Sequence, residues 1–190
     1  MQQKTLEIRS LAKCTDAQQR DIRLIRNQDS VRNAMYSTHI ISAEEHLDWL
    51  KAVLRETTTI RSFLVFLAEV LVGAMSVSRI DPIHKTCDWA FYLSEDARGG
   101  IGKVIEFYTL NYVFFGLKLA KLNCEVLDFN KDVIAMHKTF GFRHEGTRRS
   151  EKVRGDERLD VVLLGITADE WRAEQPRIED KYRVLLGKYA

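Results

Sequence analysis

Residues 97 to 103 read Ala-Arg-Gly-Gly-Ile-Gly-Lys, and behind them runs a long apolar segment, Lys103 to Ala120. The glycines separate a strand-like run, Thr86 to Leu93, from that segment, whose length and composition suit a largely buried helix. A further strand-like run, Leu122 to Asp128, comes next. Strand, glycine loop, helix and strand make a crossover unit, which places two parallel strands in one sheet. The loop also opens a helix N-terminus, where free backbone N–H groups and the helix dipole favour an anion such as pyrophosphate. Glycine admits close approach because no Cβ intervenes. A Walker A loop is excluded, because Val104 follows Lys103 and Ala97 stands where a glycine is required. The dinucleotide fingerprint fails at Ile105. Taken alone, the cluster fits an ordinary tight turn equally well.

The remaining elements surround this unit with hairpins. Thr5 to Leu11 alternates as a strand, and Asp16 to Gln28 has helical spacing. The capping box Ser42 to Glu45 opens a second helix that carries Leu47, Leu50 and Leu54 and ends near Arg55. Ser62 to Ala68 and Leu71 to Ile80 form a hairpin, and Asn130 to Phe140 reads as a short helix stopped by Gly141. Phe142 to Val153 pairs with Leu159 to Ile166 through Arg154-Gly155-Asp156, and a capping box at Thr167 to Glu170 opens a terminal helix. The expected order is βααβββαβαββα, an α+β fold.

Its 190 residues fit one domain, residues 1–190, with a helical extension from about residue 167. The 29 basic and 27 acidic residues balance too evenly for a nucleic-acid footprint. Three widely spaced cysteines, Cys14, Cys87 and Cys124, form neither a disulfide framework nor a zinc site, which points to a reducing cytoplasm and no metal. The most apolar stretch, Phe63 to Met75, is broken by Glu69, so neither membrane span nor secretion signal is expected.

After the strand that ends at Asp128 comes Asn130, with His137 seven residues on and then Gly141-Phe142. With the glycine loop, this pattern resembles the GNAT acetyltransferase superfamily. The resemblance implies an α/β/α sandwich about a mixed, mostly antiparallel sheet, with a V-shaped splay between the strands near 86–93 and 122–128. Acetyl-CoA would enter the splay as co-substrate, held by Phe91, Tyr92, Leu93, Arg98, Gly99, Gly100, Ile101, Gly102, Lys103, Asn130 and His137. Two positions depart from the family pattern: His137 stands where a Tyr is usual, and Ala97 where Gln or Arg is usual.

The N-terminal half narrows the likeness. Arg26-Asn27, Met35-Tyr36-Ser37-Thr38, Ile41-Ser42 and His46 resemble the acetyltransferases of pseudaminic acid biosynthesis. By that resemblance the acceptor is a UDP-linked aminodideoxysugar, lined by Arg26, Met35, Tyr36 and His46, with Ser78 and Arg79 toward its phosphates. A homodimer stays open as the assembly. Direct attack of the sugar amine on the thioester would need a base, assigned to Glu125, and a group near the CoA sulfur, assigned to His137. Glu125 lies mid-strand between Cys124 and Val126, a position that equally suits an ion pair. A GNAT enzyme acting on protein N-terminal amines is the alternative acceptor reading, and a non-catalytic CoA-binding module is the third. The basic residues 143, 148, 149, 152, 154 and 158 alternate with acids and read as a solvated hairpin face.

Overall fold

The structure is a computed structural model that describes residues 5–56, 58–97 and 99–189. Seven strands form one sheet: β1 (Leu6–Ser10), β2 (Arg61–Leu67), β3 (Val70–Asp81), β4 (Thr86–Leu93), β5 (Lys121–Leu127), β6 (Arg143–Arg154) and β7 (Glu157–Thr167). Their spatial order is β1-β2-β3-β4-β5-β7-β6, antiparallel throughout except for the β4–β5 pair. The helices are α1 (Asp16–Arg26), α2 (Asp29–Arg32), α3 (Ala43–Arg55), α4 (Ile101–Asn111), α5 (Lys131–Thr139), α6 (Ala168–Lys181) and α7 (Arg183–Tyr189).

Side-chain alternation explains the two-sided packing. In β2, Leu64 and Phe66 face α1 and α3, where they meet Ile22, Ile25 and Leu50. Val65, between them, belongs to the opposite core with Met75, Val77, Ile105, Leu110 and Trp171. The sheet is thus buried on both faces, as the expected α/β/α sandwich requires. Capping boxes at Thr15, Ser42 and Thr167 start α1, α3 and α6 by satisfying backbone N–H groups that have no helical partner.

Three boundaries differ from the sequence reading. The helix expected over 103–120 ends at Asn111 and continues as a π-helical turn, Tyr112–Gly116. Lys118, just beyond, has φ +57°, a left-handed residue that ends helical winding. The first expected helix stops at Arg26, and α2 is a separate short turn. The terminal helix divides at Tyr182 into α6 and α7, and Ile178 and Tyr189 are both buried in the larger core. No helix among the described residues is long and apolar enough to cross a membrane.

Candidate active site

The crossover predicted from the glycine loop pairs β4 with β5 at only three positions: Thr86 with Lys121, Cys87 with Leu122 and Asp88 with Asn123. Beyond Asp88 both strands continue, β4 to Leu93 and β5 to Leu127, without further pairing between them. On its other side β4 is paired with β3 as far as Leu93. Strand geometry therefore turns every second backbone N–H and C=O of residues 89–93 into the gap, available to a ligand.

On the α4 side, Gly99 and Gly100 have φ of +111° and +104°, a backbone that only glycine adopts without strain. Gly102 sits in the first turn of α4, and a Cβ there would lie 3.4 Å from Phe91 and 3.5 Å from the Met136 sulfur. Loop, outer β4 and α5 thus converge at the wide end of the splay. Ile101 is buried beneath the loop, and Lys103 reaches over the Tyr182 ring, 5.4 Å from its centroid. Asn130 caps α5 by position without a side-chain hydrogen bond. Leu93 packs against the larger core, whereas Tyr92 packs against the smaller one. Arg98 lies outside the described residues.

We expect Gly102→Asp to weaken CoA binding at least tenfold while shifting Tm by less than about 3 °C, because Asp suits a first helical turn yet repels a pyrophosphate there. Calorimetry with CoA checks this; unchanged affinity would remove the loop assignment. Gly100 is a poorer probe, since a side chain there meets both the positive φ and Leu185 at 3.0 Å.

On the opposite side stands a polar cluster around Glu125. The Tyr36 hydroxyl donates to its Oε2 at 2.6 Å, Arg148 Nη1 to its Oε1 at 3.0 Å and Arg79 Nη2 to its Oε1 at 3.4 Å. Arg79 has φ +49° at a β-bulge between Ser78 and Asp81. The bulge re-aims the side chain, which pairs with Asp88 as well as Glu125. Ser78 itself stays in the ladder opposite Asp88. Lys152 Nζ lies 4.4 Å from the Tyr36 ring centroid, and Arg154 donates to the Met35 carbonyl at 3.0 Å. Arg26 donates to the Ser37 carbonyl at 3.4 Å and Arg32 to that of Thr38 at 2.5 Å, so residues 35–38 are tied to both α1 and β6.

Burial pushes the Glu125 carboxyl up, but the Tyr36 hydrogen bond and the two guanidinium groups outweigh it and hold it below the usual range. Burial and the neighbouring carboxylate push the Tyr36 phenol up, so it keeps its proton.

Two histidines stand elsewhere than the sequence reading expects. His46 is 5% exposed, its Nε2 2.7 Å from the Gln19 carbonyl oxygen and its ring stacked on Trp49. It ties α3 to α1 and presents nothing to a substrate. His137 is 3% exposed, with Nδ1 2.8 Å from Glu106 Oε1. Its ring packs against Trp89 and Phe142 instead of opening toward a CoA sulfur, because residue 137 falls on the core side of α5. Burial pushes the imidazole down and the Glu106 carboxyl up, and the contact between the two, helped by the Cys124 sulfur, raises the imidazole above its ordinary range.

Arg148, Lys152 and Arg154, taken from sequence as a solvated face, turn instead toward Tyr36, Met35 and Glu125. Their roles emerge only from strand order: β7 places Leu163 beside both Glu125 and Gly146, so Glu125 and Arg148 lie on one face of the sheet. Glu106 carried no sequence signal beyond a carboxylate inside an apolar helix. Among the described residues no cluster of His, Cys, Asp or Glu is arranged to hold a metal ion.

A mixed sheet splayed beside a glycine loop at a helix N-terminus, with a carboxylate on the inner strand, defines an acetyl-CoA-dependent acyltransferase. The chain belongs to the GNAT acetyltransferases: residues 8–163 match the family model described as "Acetyltransferase (GNAT) domain". It is an N-acetyltransferase of that type and uses acetyl-CoA. Over 152 residues it is 26% identical to the SPbeta prophage-derived uncharacterized N-acetyltransferase YokL of Bacillus subtilis, covering 80% of this chain and 82% of that one. Spermidine N-acetyltransferase from Vibrio cholerae, solved with CoA and spermine, superposes with a TM-score of 0.78 at 22% identity, over 90% of this chain and 98% of that one. A dodecameric structure of the Vibrio enzyme gives 0.74 at 20%, over 88% and 96%. At these identities the structural likeness speaks for the fold alone.

Proposed function

We propose that the chain acetylates a primary amine on an anionic acceptor of the UDP-aminosugar class. The observation that carries this reading is the charge around Glu125: Arg79, Arg148, Lys152 and Arg154 gather on Glu125, Tyr36 and Met35, against the carboxylates of Glu125, Asp88 and Glu151. A polycationic acceptor such as the spermine bound to the Vibrio enzyme would meet this surface with like charge. A diphosphate suits it, because guanidinium groups bind phosphate in bidentate fashion and an ammonium such as Lys152 adds a compact charge. Tyr36, 40% exposed, offers a ring for a base to stack on, and Met35 supplies apolar surface near it. Protein N-terminal amines carry no such anion, and the cationic rim gives that alternative no support.

The thioester supplies an activated acetyl group with a thiol leaving group. In this reading the amine is held neutral and in line with it, and Glu125 accepts the amine proton directly or through water as the C–N bond forms. A backbone N–H of the Phe91–Leu93 stretch donates to the acetyl oxygen as it gains charge. In this reading His137 is buried away from the splay, and the thiolate, whose conjugate acid has an ordinary pKa of about 8.5, takes its proton from water.

Thermal unfolding with ligands tests the acceptor class, since a ligand that binds only the folded state raises Tm. Millimolar UDP is expected to raise Tm by several degrees and spermidine to leave it unchanged. Arg148→Ala/Lys152→Ala should abolish the UDP shift and raise KM for a UDP-aminosugar at least tenfold. Protection by spermidine and none by UDP would overturn the reading.

A further inference from the structure

Buried with the larger core is an ionisable pair, Glu106 on α4 and His137 on α5, whose side chains are 0% and 4% exposed. The pair touches every element bordering the splay. Trp89 of β4 meets the His137 ring edge-on at 5.5 Å, Cys124 of β5 lies beside that ring, and the two helices supply the partners. Glu106 lies four residues past Gly102, hence on the same face of α4 and one turn, about 6 Å, deeper. His137 follows Met136, the residue that Gly102 faces across the gap.

Stability alone does not account for charge at this depth. A buried ion pair replaced by apolar side chains of similar volume is often neutral or more stable. Here Glu106 Oε2 has no hydrogen-bond partner among the described residues, which adds an uncompensated desolvation cost. What the pair supplies is a bond of defined length and direction between α4 and α5.

We propose that Glu106 and His137 are positioning residues, a strut that sets the distance between α4 and α5 and so holds the splay at the width acetyl-CoA needs. The inference rests on the reading that acetyl-CoA lies between the Gly102 turn and outer β4. Shortening or slackening the strut shifts Met136 and Phe91 against Gly102, which changes the width of the gap.

The test compares wild type with Glu106→Leu/His137→Phe and with Glu106→Gln, reading Kd for CoA by calorimetry and Tm by scanning. In the apolar pair CoA binding is expected to weaken at least tenfold while Tm stays within about 3 °C or rises. Glu106→Gln retains an acceptor for the His137 Nδ1–H and is expected to bind CoA within threefold of wild type. Should the first apolar pair not fold, Glu106→Met/His137→Leu, whose flexible Met fits irregular space, is measured in the same way. CoA affinity within twofold of wild type in a folded apolar pair overturns the proposal. Failure of both apolar pairs to fold also overturns it, because the pair is then needed for the fold itself. Gly102→Asp, run alongside, separates the two failures: unchanged affinity there removes the loop reading, whatever the strut does.

Discussion

Glu125→Gln is expected to lower kcat/KM by between about 10² and 10⁴, the range that general acid–base catalysis supplies. The variant is isosteric and keeps hydrogen-bond contact with Tyr36 and Arg148, so Kd for CoA is expected to stay within twofold. A loss smaller than threefold would reduce Glu125 to an anchor for the two arginines. Because its carboxyl is held below the usual range, Glu125 is ionised throughout the working pH range. The acidic limb of the rate profile is therefore expected to follow the acceptor ammonium, with unit slope below that amine's pKa and no second break above pH 5. Stability follows the same shift: a depressed carboxyl favours the folded state above its unfolded pKa of about 4.3 and loses that contribution as pH falls through the folded value. The Tm advantage of wild type over Glu125→Gln is thus expected to be full near neutrality and to shrink as pH falls below about 4.3.

Trp171→Ala carries the largest expected loss of stability, about 3–5 kcal/mol, the range for removing a fully buried large aromatic. Trp171 is 0% exposed, packs edge-on against Phe107 at 5.8 Å and donates Nε1–H to Asn111 Oδ1 at 3.0 Å. The alanine variant leaves both a cavity between α6 and α4 and an unpaired amide oxygen. Urea unfolding with an unchanged m-value measures it, and a loss below about 1.5 kcal/mol would mean that α6 collapses into the space. CoA binding at the other end of α4 is expected to survive in the folded fraction.

How much of this was legible beforehand follows the range of the interactions involved. Periodicity and capping residues act within a few positions, so the seven strands and the starts of α1, α3 and α6 follow from the sequence, whereas the splay beside the glycine loop comes only with the resemblance to the acetyltransferase family. The π-helical turn after Asn111 has no such local signal, and the left-handed Lys118 beyond it is not a glycine that the sequence would mark. Glu125 was singled out as a carboxylate placed mid-strand, yet its three partners come from residues 36, 79 and 148, brought together only by sheet order. The same cause misplaced His137 and His46. A histidine on an amphipathic helix looks alike whether its ring points to a ligand or to Glu106, a carboxylate 31 positions away in the chain. The β6 cations alternate with acids, a pattern that resembles a solvated surface until a partner strand shows which face they share.

The three residue pairs that join β4 to β5 have a mechanical meaning as well. Backbone hydrogen bonds tie β1 to β4 on one side and β5 to β7 on the other, and between those blocks the ladder is three pairs long. Such a sheet is expected to breathe as two leaves on a short hinge near residues 86–88 and 121–123, with amides on the outer half of β4 exchanging hydrogen sooner than those of β3. A pantetheine arm lying along outer β4 would act as the missing stretch of ladder, so that binding the acetyl donor also closes the sheet.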